Sequence, residues 1–155
     1  MLGQPPFFKA GKQIARIDKV DINLYRLSKY RFLRILFYFW FKPNPEVIEA
    51  INSSKQRGDQ IVVISGHSDR CVDELESCLT KAGMLLDGIH LITPERFASY
   101  LQFKLQTIMA LGCDVYIEDL QGVVEYLRAG LGTQCKVVHY SGPDSLPEVK
   151  RALIH

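Results

Sequence analysis

Two adjacent carboxylates, Glu118 and Asp119, stand directly after an apolar run, Val115-Tyr116-Ile117. Such a pair at a strand end suits a hard cation that takes oxygen ligands. The competing reading is an acidic cluster at a helix N-terminus, favoured there by the macrodipole, and the residues alone weigh the two evenly. A second apolar run, Ile61-Val62-Val63-Ile64, closes on Ser65-Gly66. There a hydroxyl and backbone N–H groups can meet a phosphate oxygen near a helix start. Taken alone, that pattern favours a serine that merely caps the next turn. Lys104 lies among apolar neighbours in a helical pattern, where a lysine ordinarily lays its stem along the surface and keeps its ammonium in water.

These residues need elements to position them. From Pro43 onward, β-favouring runs alternate with helical periodicity, the arrangement of a parallel sheet with helices on its faces. The spacing predicts a helix from Pro45 to the break at Gly58 and a buried strand over Ile61–Ile64. Next comes a helix capped by Ser68, with apolar positions Cys71, Val72, Leu75, Cys78 and Leu79, closing at Gly83. A strand over Ile89–Ile92 and a helix over Arg96–Ala110 carrying Phe97, Leu101, Leu105, Ile108 and Met109 follow. Strands over Cys113–Ile117 and Lys136–His139 flank a helix over Leu120–Ala129, and the tail reads as a loop with a short helix. In open α/β sheets, ligands sit beyond the carboxyl ends of the strands. Ser65, Glu118 and Asp119 occupy such ends.

With 155 residues, 47% hydrophobic and 23% charged, the chain fits one globular domain with a single core. Residues 43–140 form the α/β part, and residues 1–42 a basic, aromatic-rich arm. That arm holds nine Lys and Arg against Asp18 and Asp21, whereas the rest holds ten against fifteen acids. Such asymmetry suits phosphate groups, nucleic acid or an anionic surface, or complementarity between arm and body. Cys71, Cys78, Cys113 and Cys135 form no CxxC pair and have no His at zinc spacing, so they read as reduced structural thiols. No apolar run approaches the roughly 18 residues of a spanning helix, and Met1–Gly11 lacks a secretory pattern. A cytoplasmic protein is expected. Residues 12–27 fit a helix and a strand about equally well.

In order and spacing, three segments resemble the haloacid dehalogenase (HAD) superfamily over roughly 100 residues. Pro43-Asn44-Pro45-Glu46-Val47 to Gly58, then Ile61-Val62-Val63-Ile64-Ser65-Gly66-His67, looks like the approach to the second HAD motif. Phe103-Lys104, with Thr107-Ile108 and Leu111-Gly112, is similar to the segment of the third motif, and Asp114-Val115-Tyr116-Ile117-Glu118-Asp119 to the fourth in its Glu-Asp form. The resemblance implies a three-layer Rossmann-like (HAD-like) α/β fold with a mainly parallel central sheet, and Mg²⁺-dependent phosphoryl transfer. It gives Ser65 and Gly66 the phosphoryl group, Lys104 the offsetting charge, and Asp119, with Glu118, the metal.

HAD phosphatases also begin with a strand ending Asp-x-Asp, whose first Asp attacks phosphorus and whose second acts as acid and base. This chain has no Asp-x-Asp. Asp21-Ile22-Asn23 puts Asn in the second place, and Asp18-Lys19-Val20 puts Val there. An Asn cannot move the proton, which predicts a phosphatase slowed by about 10²- to 10⁴-fold. Arg16 and Lys19 would be costly in a central strand unless paired, so loss of the first motif is the alternative.

Arg31-Phe32-Leu33-Arg34-Ile35-Leu36-Phe37-Tyr38-Phe39-Trp40 is the most apolar part of the chain. A core helix, an interfacial helix on anionic lipid and a dimer contact through residues 31–41 compete. Apolar residues all round the helix favour core or dimer. Nucleic-acid binding is disfavoured, because the aromatics are too dense and apolar to stay exposed. Two functions are expected to compete: a HAD-like phosphatase acting on a small phosphorylated molecule, and a HAD-fold binding or scaffold protein without catalysis that works through this arm.

Overall fold

Asn44 caps the helix that starts at Pro45: its side-chain oxygen accepts from the Glu46 and Val47 N–H groups at 2.9 and 3.2 Å. Pro45, which needs no partner for a missing N–H, takes the first turn. A computed structural model describes residues 31–32, 43–93, 96 and 99–154. In chain order it contains α1 (Pro45–Gln56), β1 (Val62–Ser68), a 3₁₀ turn (Asp69–Cys71), α2 (Val72–Lys81) and β2 (Gly88–Ile92). Then follow α3 (Tyr100–Leu111), β3 (Val115–Glu118), α4 (Gln121–Leu131), β4 (Lys136–His139), a 3₁₀ turn (Pro143–Ser145) and α5 (Leu146–Ala152). Asp18 and Asp21, the segment 12–27 and residues 33–42 of the aromatic run lie outside the described residues.

The chain is mixed α/β, built on parallel strand pairs. β1 pairs with β2, from Val62 opposite Gly88 to Ser65 opposite Leu91. β3 pairs with β4, from Val115 opposite Lys136 to Glu118 opposite His139. Among the described residues the two pairs share no ladder of backbone hydrogen bonds. A cleft of about 560 Å³ separates them, with Val62, Val63 and Ile64 on one side and Val115, Tyr116 and Ile117 on the other.

Alternation along the strands puts helices on both faces. Ile64 and Val137 join Leu101, Phe103, Ile108, Val123, Val124 and Leu127 of α3 and α4 in the largest core cluster. Their neighbours point the other way: Val63 packs with Leu75 and Leu79 of α2, and Val138 with Val149 and Ala152 of α5. At about 25 cal/mol per Å² of apolar surface, these faces supply the drive that holds the strand ends in register. Phe32, from the aromatic run, is exposed, and no described helix is long and apolar enough to cross a membrane.

Three expectations are corrected. The third helix starts at Tyr100 instead of Arg96, because the Ser99 hydroxyl caps it by accepting from the Gln102 N–H at 3.3 Å. Ser68 caps the 3₁₀ turn ahead of α2, taking the Arg70 N–H at 3.2 Å, so the helix proper begins later. Met109, expected on the apolar stripe of α3, is 52% exposed, whereas Lys104 is buried. The buried face runs through Tyr100, Leu101, Phe103, Lys104 and Ile108.

Candidate functional site

The carboxyl end of β1 is irregular. Ser65 lies opposite Leu91 and Ser68 opposite Ile92, so Gly66 and His67 are extra residues outside the ladder to β2. A bulge of this kind re-aims side chains and frees backbone groups. The His67 N–H turns back to the Ser65 Oγ at 3.3 Å. Ser65 therefore does cap a turn, and that contact leaves its hydroxyl proton unused. Burial lowers the His67 pKa below its ordinary value, and the Lys104 ammonium lowers it further.

Lys104 reaches this region from α3. It is only 5% exposed, and Glu118, at the carboxyl end of β3, only 4%. The two form a buried ion pair, Nζ to Oε2, so the surface reading of Lys104 is wrong. The reason lies in its neighbours: Nζ sits 4.7 Å from the Tyr100 ring centre and 5.7 Å from that of Tyr116. Two aromatic faces and a carboxylate replace the water that the ammonium gives up.

Glu118 is fully engaged. Its Oε2 also lies 3.2 Å from the Tyr116 hydroxyl, and its Oε1 accepts the Leu120 N–H at 3.3 Å. Burial pushes its carboxyl above the ordinary carboxylate value, Lys104 pulls it down, and the neighbouring Asp119 adds to the rise through its charge and a side-chain hydrogen bond. The Tyr116 phenol is pushed well above its ordinary value, first by burial and then by the Glu118 charge. Asp119 is exposed, and its backbone carbonyl lies 3.2 Å from His139 Nε2 at the end of β4.

Lys104, Glu118 and Asp119 are thus gathered, and their link to β1 runs through the carbonyl of Ile64, the residue before Ser65, 3.3 Å from the Tyr116 hydroxyl. Gly66 stands between Ser65 and His67 in the bulge. The arrangement offers a cation for an anionic group, a hydroxyl, and two neighbouring carboxylates. As Mg²⁺ donors these carboxylates fit unequally: Asp119 faces solvent, whereas Glu118 is spent on Lys104, Tyr116 and the Leu120 N–H. Magnesium is content with one or two carboxylates when phosphate and water complete its shell, so the donor chemistry suits it. Among the described residues, no three His, Cys, Asp or Glu side chains are grouped to hold a metal ion.

Tyr100, Tyr116 and His67 were not singled out by sequence reasoning. The signals were there: Tyr100 precedes Lys104 by one helical turn, and Tyr116 shares a strand face with Glu118. The four cysteines are free, with Cys71 and Cys135 buried. Burial, then Cys113, pushes the Cys135 thiol up to about 11, as befits inert core thiols. Comparison of the chain with models of known families, with curated proteins and with solved structures finds no match.

Proposed function

We propose that this chain is a HAD-like phosphatase, hydrolysing a small phosphate monoester with Mg²⁺ in the cytoplasm. The observation that carries the reading is the buried Lys104–Glu118 pair, with Asp119 interacting with Glu118. A cation from one helix and two acids at the carboxyl end of a parallel strand come together, and the ends of such strands are where ligands bind in open α/β sheets. In this reading Ser65 and the Gly66 backbone orient the phosphoryl group, and Lys104 offsets its charge. Asp119, helped by Glu118, holds Mg²⁺, which when bound neutralises charge on the phosphoryl oxygens.

The finer fold proposed is a three-layer Rossmann-like (HAD-like) fold with a mainly parallel central sheet. Asp21 or Asp18 would be the nucleophile. Its carboxylate oxygen bonds to phosphorus as the ester oxygen leaves and takes a proton from water. A second water then cleaves the aspartyl phosphate to free phosphate and restores the carboxylate.

The test is phosphate release from p-nitrophenyl phosphate, sugar phosphates and nucleotides with Mg²⁺, comparing the full chain with Asp119→Ala and Ser65→Ala. Turnover that falls at least about 100-fold in both variants supports the reading. A folded wild-type chain that releases no phosphate overturns it, and leaves the non-catalytic binding or scaffold protein acting through the basic aromatic arm, residues 1–42.

A further inference from the structure

Lys104 and Glu118 have each other as counter-charge, and both are required elsewhere by the phosphatase reading, on which the following rests. An ammonium paired to a buried carboxylate is a poor anion site, since an arriving phosphate must first break that pair. A carboxylate bound to an ammonium is an equally poor metal ligand. Neither charge can simply be released, because an uncompensated charge in a site this buried is costly.

We propose that the Lys104–Glu118 pair is an exchange switch that couples the two ligands: Glu118 gives up Lys104 for a divalent cation shared with Asp119, and Lys104 turns to a phosphate oxyanion. The geometry favours a concerted exchange. Asp119 is exposed and its carboxylate interacts with that of Glu118, so a cation arriving from solvent at Asp119 meets Glu118 next. Tyr100 and Tyr116 remain against the Lys104 ammonium at 4.7 and 5.7 Å, lining its path without replacing its counter-charge. The Leu120 N–H holds the other oxygen of Glu118, so the carboxylate can pivot about that anchor. Once Glu118 has turned, Lys104 needs an anion, and the bulge that carries His67 lies within electrostatic range of its ammonium. Each ligand therefore removes the obstacle to the other, and thermodynamic linkage makes the gain reciprocal.

Titration calorimetry on the full chain, with inorganic phosphate and Mg²⁺ as probes and no turnover involved, tests the exchange. In the wild type, saturating Mg²⁺ tightens phosphate binding by at least about tenfold, and phosphate tightens Mg²⁺ by the same factor. Glu118→Gln keeps the side-chain shape and its acceptor for the Leu120 N–H but releases the ammonium. It binds phosphate without Mg²⁺ at least about tenfold more tightly than the wild type does, and its coupling falls to within about twofold. Simple bridging of the two ligands predicts no gain in Mg²⁺-free affinity from Glu118→Gln.

A second readout needs no substitution in the measured protein. The ¹⁵Nζ resonance of Lys104, assigned by its loss in Lys104→Arg, shifts on Mg²⁺ alone. Phosphate affinity indifferent to Mg²⁺, or a resonance that Mg²⁺ leaves in place, overturns the exchange. Coupled binding without any phosphatase activity sinks the enzyme reading and keeps the exchange, whereas turnover with uncoupled binding does the reverse.

Discussion

The Tyr116 hydroxyl on β3 lies 3.3 Å from the Ile64 carbonyl on β1 and 3.2 Å from Glu118 Oε2, tying together two strand pairs that share no ladder among the described residues. One hydroxyl carries one proton, so at any moment it serves one acceptor. Tyr116→Phe should therefore cost about 1 kcal/mol in urea unfolding, the net worth of a single hydrogen bond. A larger loss would mean that the ring itself is displaced. The raised phenol pKa adds a sign: its contribution is complete below the unfolded value near 10 and is lost as pH rises through the folded value. Stability should fall in that alkaline range in the wild type, and less steeply in the variant.

Side-chain chemistry makes some of these elements legible in the sequence and hides others. Helix termini were readable where side-chain chemistry dictates them: Asn44-Pro45 at one end, and at another Gly112, whose φ of 63° closes α3 in the left-handed region. Strand centres were readable because four β-favouring residues run together in Ile61–Ile64. The start of α3 was not, since Ser99 and the periodicity back to Phe97 compete, and only the Ser99 bond to Gln102 decides between them. The burial of Lys104 was also hidden. Periodicity places it between apolar and polar faces, and its fate depends on Glu118 and Tyr116, more than ten residues away. The adjacency of Glu118 and Asp119 suggests a metal held by Asp119 with help from Glu118, but does not show that strand alternation sends Glu118 inward and leaves Asp119 in solvent.

The buried pair makes a distinct stability prediction. Lys104→Met or Glu118→Leu alone leaves an unpaired buried charge and should each destabilise the fold by about 3–5 kcal/mol. The double variant removes both charges and should lose less than either single one, its residual cost being the Leu120 N–H left without its acceptor. Urea unfolding of the four proteins measures this. A double variant as unstable as the two single losses added together would show that the side chains matter by packing and not by charge.

His67 supplies a test in the acid range. Its pKa in the fold is lowered from 6.5, by burial first and by Lys104 second, so the unfolded chain takes up the proton first as pH falls. Stability from this group is complete above about 6.5 and declines as pH falls through the folded value, with a slope of at most about 1.4 kcal/mol per pH unit. Glu118 runs oppositely: its raised value makes its contribution complete below the unfolded value of 4.5 and lost as pH rises through the folded one. Subtracting the unfolding free energies of His67→Gln from those of the wild type, point by point between pH 7 and 5, isolates the histidine. A flat difference would mean that His67 titrates alike in both states.

The most decisive prediction for catalysis restores a function. If Asp21 is the nucleophile, Asn23 stands where a carboxyl would protonate the departing alcohol and later activate water. The amide can hydrogen-bond in that place, but it does not exchange a proton near neutral pH. Asn23→Asp should then raise turnover of p-nitrophenyl phosphate with Mg²⁺ by about 10²- to 10⁴-fold, and Asp21→Asn in the same background should abolish the gain. If Asp18 is the nucleophile instead, Val20→Asp is the variant that gains and Asn23→Asp is silent. The two substitutions thus choose between the alignments by the direction of the change. Silence from both, in proteins that still bind phosphate through Lys104, would leave a fold able to hold the phosphoryl group but lacking a nucleophile to attack it.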